Sequence, residues 1–151
     1  MSATMSFVLK LKGPKVFSVE ESASVKSALA ELDTHGVGAL LVYTKEKSVA
    51  GIITERDIIR ALARTAEDIR FHSVAHHMTH REKLIIATPD DTIEYAMSIM
   101  TNNHIRHLPV MDKSGTVYGM VSIGDIVKAS LSETSFENRM LKEYIEAKYP
   151  Q

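Results

Sequence analysis

The chain of 151 residues contains its own partial duplicate: Val16–Arg64 lies over Leu84–Ser132 without a gap. Ala28 meets Ala96, Leu40 meets Leu108, Val42 meets Val110, Lys45 meets Lys113, Val49 meets Val117 and Gly51 meets Gly119. The run ends with Asp57-Ile58 over Asp125-Ile126 and Ala61 over Ala129. Identities are few, but the apolar positions match almost throughout, and chance seldom preserves them without an insertion. A duplication constrains the fold more tightly than composition does, because whatever supersecondary unit one copy forms, the other must form as well.

Each copy opens with a β-type segment, Val16–Val19 or Leu84–Ala87, followed by polar turn residues and by Ser24 or Thr92, which are suited to cap a helix. Val25, Ala28, Leu29 and Leu32 fall at i, i+3, i+4 and i+7, and Ile93, Ala96, Met97 and Met100 repeat the spacing, so one helical face is apolar. Two apolar runs joined by a polar turn come next (Ala39–Tyr43 and Val49–Ile53; Leu108–Met111 and Val117–Val121), which predicts a hairpin. The last element, Glu55–Arg64 or Ile123–Leu131, returns to helical spacing. The predicted class is α+β: a duplicated β-α-β-β-α unit with a lead at 1–15, copies at 16–64 and 84–131, a linker at 65–83 and a C-terminal helix at 132–151. At about 50 residues a single copy is marginal as an independent domain, so the two must share a core.

The remaining segments are less regular. The lead is amphipathic through Phe7, Val8 and Leu11. The linker is polar and His-rich and reads as solvated and pH-sensitive; His72, His76 and His80, spaced by four, would line one face if it were helical, with His77 alongside. No thiol or well-placed carboxylate completes a ligand set, so metal binding is disfavoured. In the tail, Phe136, Met140 and Tyr144 with Leu141 and Ile145 mark an apolar stripe with no place inside the repeat, expected to pack on a partner subunit or back over the copies.

Composition narrows the function. There is no cysteine, which removes thiol nucleophiles, disulfides and Cys-based metal sites. Lys plus Arg is 18 and Asp plus Glu is 19, a balance that offers no global field for a polyanion, so nucleic acid is disfavoured as a partner. No stretch has the apolar length of a membrane span, and Met1 to Gly13 reads as neither signal nor transit peptide, so the expected location is intracellular and cytoplasmic.

The best-defined constellation is Gly51-Ile52-Ile53-Thr54-Glu55-Arg56-Asp57, repeated as Gly119-Met120-Val121-Ser122-Ile123-Gly124-Asp125. In both, a Gly-led strand enters a helix through hydroxyl-x-x-Asp. Such a helix start places the hydroxyl and the carboxylate on one side with free backbone N–H groups between them, a geometry that suits a phosphorylated sugar. The N–H groups and the helix dipole favour phosphate, and an ionised Asp accepts hydrogen bonds from a ribose diol. The competing reading is an ordinary capping box, since the same pattern occurs at Thr65–Asp68, Thr88–Asp91 and Thr134–Glu137. What favours a ligand site is recurrence in register, each time after a Gly-led strand.

Together with Asn103-His104-Ile105-Arg106-His107-Leu108-Pro109-Val110, these motifs resemble the cystathionine-β-synthase-type (CBS) regulatory domain, and the tandem copies are similar to the CBS pair, or Bateman module, over Val16–Leu131. The resemblance implies two pseudo-symmetric clefts that take adenosine-containing ligands: AMP first, with ADP, ATP, NADH or S-adenosylmethionine as further options. It implies that Thr54 and Asp57 hold phosphate and ribose in one cleft, and Ser122 and Asp125 in the other. Val37, Gly38 and Ala39 would wall in the base of one, and Ile105, Arg106 and His107, with Pro109 following, that of the other. Arg56, where the second copy has Gly124, would reach toward the nucleotide of the other copy. Because Arg106 and His107 can donate charge-assisted hydrogen bonds and Gly38-Ala39 cannot, the Ser122/Asp125 site is expected to be the tighter.

The family is named after an enzyme whose catalytic domain this chain lacks, and no Walker loop, dinucleotide fingerprint or nucleophile elbow is present. The expected role is a non-catalytic sensor of adenylate or redox state, a homodimer acting on a regulated partner protein. The alternative is a structural adaptor that docks on another protein without ligand.

Overall fold

The computed structural model describes residues 3–13 and 15–148; residues 1, 2, 14 and 149–151, at the edges of the predicted lead and tail, lie outside the described residues. The elements are α1 (Met5–Lys12), β1 (Ser18–Glu20), α2 (Val25–His35), β2 (Ala39–Tyr43), β3 (Val49–Thr54), α3 (Glu55–Arg64), β4 (Thr79–His80), α4 (Ile93–Asn103), β5 (His107–Met111), β6 (Val117–Ser122) and α5 (Ile123–Lys148). The duplication is therefore real at the level of structure. Ser24 and Thr92 cap α2 and α4 as expected, accepting from the N–H of Ser27 and Tyr95. Both helices end on a left-handed residue, Gly36 at φ 61° and its counterpart His104 at φ 54°.

The chain divides into two compact units, one of Lys15–Ile86 with Met111–Val117, the other of Met1–Pro14, Ala87–Val110 and Tyr118–Gln151. Core positions recur. Val25, Ala28, Leu32, Leu40, Val42, Ile53 and Ile58 are buried in the first-copy unit, and Ile93, Ala96, Met100, Leu108, Val110, Val121 and Ile126 are buried at the same places in the second. Of the predicted apolar faces, Leu29, Met97, Ile59 and Leu62 point outward instead.

Each unit is completed by a segment from outside its own copy. In the first, the linker is solvated only in part. Ile69, Val74 and Met78 are buried in the core, and the segment forms three short 3-10 turns and strand β4 rather than a helix, so His72, His76 and His80 share no helical face. In the second, the lead becomes α1 and buries Met5, Val8 and Leu9, whereas Leu11 is exposed. The two segments are docked alike. Val25 N–H donates to His72 O and Val74 N–H to Ala23 O; Ile93 N–H donates to Ala3 O and Met5 N–H to Asp91 O.

The copies also diverge. The first sheet runs β1-β2-β3-β4, with β1 parallel to β2 and β3 antiparallel to both β2 and β4, while the second has only the β5-β6 pair. The expected opening strand of the second copy is reduced to the single Ala87–Val110 bridge. Pro109 supplies the reason: its counterpart Leu41 donates an N–H to Phe17 O, and proline has no N–H to give. At the other end, no break separates residues 131 and 132. Helix α5 runs through both, and the capping pattern at Thr134–Glu137 is interior to it.

The glycines at the third positions of β3 and β6 are required by what lies against them. A Cβ on Gly51 would fall 2.0 Å from Thr79 O in the backbone of β4, whereas one on Gly119 would fall 2.5 Å from Leu9 Cδ2, the end of a flexible side chain. Gly51→Ala is predicted to destabilise the fold by roughly 2–3 kcal/mol or more, and Gly119→Ala by distinctly less. Urea-unfolding midpoints of the two variants check the order, and equal losses would contradict it.

Candidate functional site

The two hydroxyl-x-x-Asp motifs form closed, reciprocal caps. In the first, Thr54 N–H donates to Asp57 Oδ2 at 2.9 Å and Asp57 N–H donates to Thr54 Oγ1 at 3.2 Å. In the second, Ser122 N–H donates to Asp125 Oδ2 at 2.8 Å and Asp125 N–H to Ser122 Oγ at 3.2 Å. Ser122 Oγ–H adds a further bond to Asp125 Oδ2 at 2.9 Å. The segment before each central strand closes over the same helix start, Gly38 O accepting from Glu55 N–H and Arg106 O from Ile123 N–H, both at 3.0 Å. This corrects the expectation of free N–H groups between hydroxyl and carboxylate: at the first and third helical positions they are already engaged.

The other predicted site residues gather around these caps within their own copies. Val37 and Ile105 donate their N–H groups to Leu32 O and Met100 O at the helix ends. Ala39 is buried and pairs with Thr54 across the hairpin. Arg106 is exposed, His107 half-buried and Pro109 buried in β5, its carbonyl accepting from Ala87 N–H. Arg56 is half-buried, and its charge acts on Asp57 of its own copy.

The two carboxylates differ in electrostatics. Burial raises the pKa of Asp57 above the ordinary carboxylate value, and the bonds from Thr54 and the charges of Arg60 and Arg56 offset only part of it. Asp125 is also pushed up by burial, but hydrogen bonds from Lys12 and Ser122 and the Lys12 charge outweigh this and hold it below the usual range. Sequence reasoning missed Lys12. Its Nζ lies 2.7 Å from Asp125 Oδ2 and donates to Met120 O at 2.6 Å. A signal for it existed. Allowing a one-residue gap, Ala3–Leu9 lies over His72–Met78, and the same register puts Lys12 over Arg81.

Elsewhere, a groove of about 540 Å³ lined by Ser18, Val19, Glu20, Tyr43, Thr44, Lys45 and Lys47 lies at the turn end of the β2–β3 hairpin, opposite the end that carries Thr54. None of the predicted site residues lines it. His72 Nδ1 and His77 Nε2 are 2.9 Å apart with their rings stacked, one donating and one accepting. Among the described residues no group of three His, Cys, Asp or Glu side chains is placed to hold a metal ion, and no helix is long and apolar enough to cross a membrane.

Two titrations follow. The carbon-detected NMR signal of the Asp57 carboxyl should titrate above about 3.9 and that of Asp125 below it, and Lys12→Met should raise Asp125 while leaving Asp57 in place. By linkage, the Asp125 contribution to stability is present above the unfolded value and lost as pH falls through its lowered pKa; Asp57 acts in the opposite sense. His77 is held low by burial, then by the charges of His72 and His76. The unfolded chain therefore takes up a proton that the folded His77 refuses, and stability should fall as pH drops through about 6.5. His77→Gln should flatten that decline in urea midpoints measured on either side of it.

Comparison with known proteins adds the lineage. A family model described as "CBS domain" matches residues 11–64 and again 74–132. The mitochondrial CBS domain-containing protein CBSX3 of Arabidopsis thaliana is 38% identical over 98% of this chain and 74% of its own length. Among solved structures, a CBS-domain-containing protein of Agrobacterium tumefaciens superposes with TM-score 0.79 at 34% identity, covering 86% of this chain and 95% of that one. A CBS domain protein of Pyrobaculum aerophilum, solved in complex with AMP, gives TM-score 0.70 at 26% identity over 82% of this chain and 89% of that one.

Proposed function

Because the chain belongs to the CBS domain family and carries two copies in tandem, we propose that it is a non-catalytic regulatory protein that binds an adenine nucleotide and passes its presence to a partner. The observation that carries this reading is the recurrence, at the ends of β3 and β6, of a hydroxyl–carboxylate cap around an aspartate. A capping aspartate is not used up by capping. The donors on Asp125 all converge on Oδ2, and Oδ1 accepts from none of the described residues, leaving it for a ribose hydroxyl. AMP is the first candidate, supported by the Pyrobaculum structure; ADP, ATP, NADH and S-adenosylmethionine rank behind it. The Ser122/Asp125 site is the tighter of the two, since Arg106 and His107 stand where the first copy has Gly38 and Ala39.

Regulation of this kind works by differential affinity: a ligand shifts the protein between states only as far as it binds one better. The homodimer is proposed on outward-facing apolar residues that recur in both copies, Leu29 with Met97 and Ile59 with Val127. A second reading, docking on another protein without ligand, is favoured by the exposed stripe Phe136, Met140, Leu141, Tyr144 and Ile145 of α5, each at least 49% exposed. The proposed location is cytoplasmic; the Arabidopsis relative is named mitochondrial, so cell fractionation decides between the two.

Calorimetry tests the reading. AMP is expected to bind with micromolar affinity, and Asp125→Ala to weaken it roughly tenfold or more, as for a lost hydrogen bond to a charged group. No heat of binding for AMP, ADP, ATP or NADH at millimolar concentration would leave the docking reading standing, and turnover of ATP by the purified chain would overturn the non-catalytic part.

A further inference from the structure

We infer that Lys12 sets the second-copy site's preference for a phosphorylated over a neutral nucleoside, an inference that rests on the adenine-nucleotide reading above. An isolated carboxylate that accepts a ribose diol repels the phosphate attached to the same sugar, because like charges a few ångströms apart near a protein surface interact by several kcal/mol at most and still by enough to matter. Lys12 removes that conflict. Its Nζ sits 2.7 Å from Asp125 Oδ2, so the pair presents no net charge to an incoming ligand.

The lysine is also left with something to offer. An ammonium has three N–H donors; Asp125 Oδ2 and Met120 O take two, and the third has no acceptor among the described residues. A phosphate oxygen fits that vacancy and a neutral 5′-hydroxyl gains less from it, since hydrogen bonds between ionised partners are about twice as strong. The side chain is two-thirds shielded, at 32% exposure, and belongs to the last turn of a helix anchored by buried Met5, Val8 and Leu9 and by the N–H groups of Met5 and Ser6 on Asp91 O and Pro89 O. It is therefore held in place before ligand arrives, which lowers the ordering cost of using it.

The asymmetry between copies points the same way. The charges acting on Asp57 belong to Arg60 and Arg56 of its own helix α3, whereas Asp125 takes its cation from a segment on the far side of the first copy in sequence.

The test measures AMP and adenosine affinities by calorimetry for the full chain and its Lys12→Met and Lys12→Arg variants, with the amide signals of Gly124 and Asp125 reporting second-copy occupancy separately. Lys12→Met is expected to weaken AMP roughly tenfold or more and leave adenosine unchanged or tighter, collapsing the AMP-to-adenosine ratio, while Lys12→Arg keeps it. If AMP and adenosine weaken in parallel, Lys12 is only a structural prop and the inference fails. An unchanged ratio in Lys12→Met overturns it while leaving nucleotide binding intact. If the unsubstituted chain binds neither compound, the nucleotide reading itself falls and takes this inference with it.

Discussion

A strand–helix–strand–strand–helix unit of about 50 residues has too little interior for its surface. Both copies here meet that shortage by burying apolar side chains from a segment that is not their own. Met5, Val8 and Leu9 of α1 close the second-copy core, and Ile69, Val74 and Met78 of the linker close the first. At roughly 1.5–3 kcal/mol for each large side chain removed from water, three such residues supply stabilisation comparable to the net stability of a small domain. The rest follows from that loan. The Gly51 and Gly119 positions leave room for the borrowed segments, and Lys12 reaches Asp125 only because α1 is held where it is.

Under the proposed reading, each cap serves two ends. A hydroxyl and a carboxylate three residues apart satisfy the backbone donors at a helix start, which every buried helix end needs. The same satisfaction fixes the carboxylate's rotamer, with Asp57 Oδ2 taking the N–H of Thr54 and Asp125 Oδ2 the donors of Ser122 and Lys12. Capping and the proposed ligand capture are therefore compatible uses of one geometry rather than competing explanations. What separates the two copies is the surrounding charge: burial dominates at Asp57, while Lys12 and Ser122 prevail over it at Asp125.

Most of the architecture was legible because the duplication let each copy check the other. Helices α2, α3 and α4, the capping residues Ser24 and Thr92 and both hairpins stand where the spacing put them, while α5 runs through the expected boundary at residues 131 and 132. Reading failed where side-chain type misled about context. The histidines made the linker look solvated, although Ile69, Val74 and Met78 between and around them carry the packing. The opening strand of the second copy looked as good as the first, and only a comparison of Pro109 with Leu41 exposes the missing donor. Part of the site was invisible for a simpler reason. Lys12 and Asp125 lie at opposite ends of the sequence, and a gapless alignment stops just short of the lead segment that the linker repeats.

Reciprocal borrowing also sets an order of events during synthesis. The linker follows its host copy directly, so the first-copy unit has the bulk of its core on hand once Met78 leaves the ribosome. Helix α1 emerges earlier than anything it packs on, and its apolar face must wait while more than a hundred further residues, through Ala129, are made. During that interval the apolar face of α1 is open to chaperones.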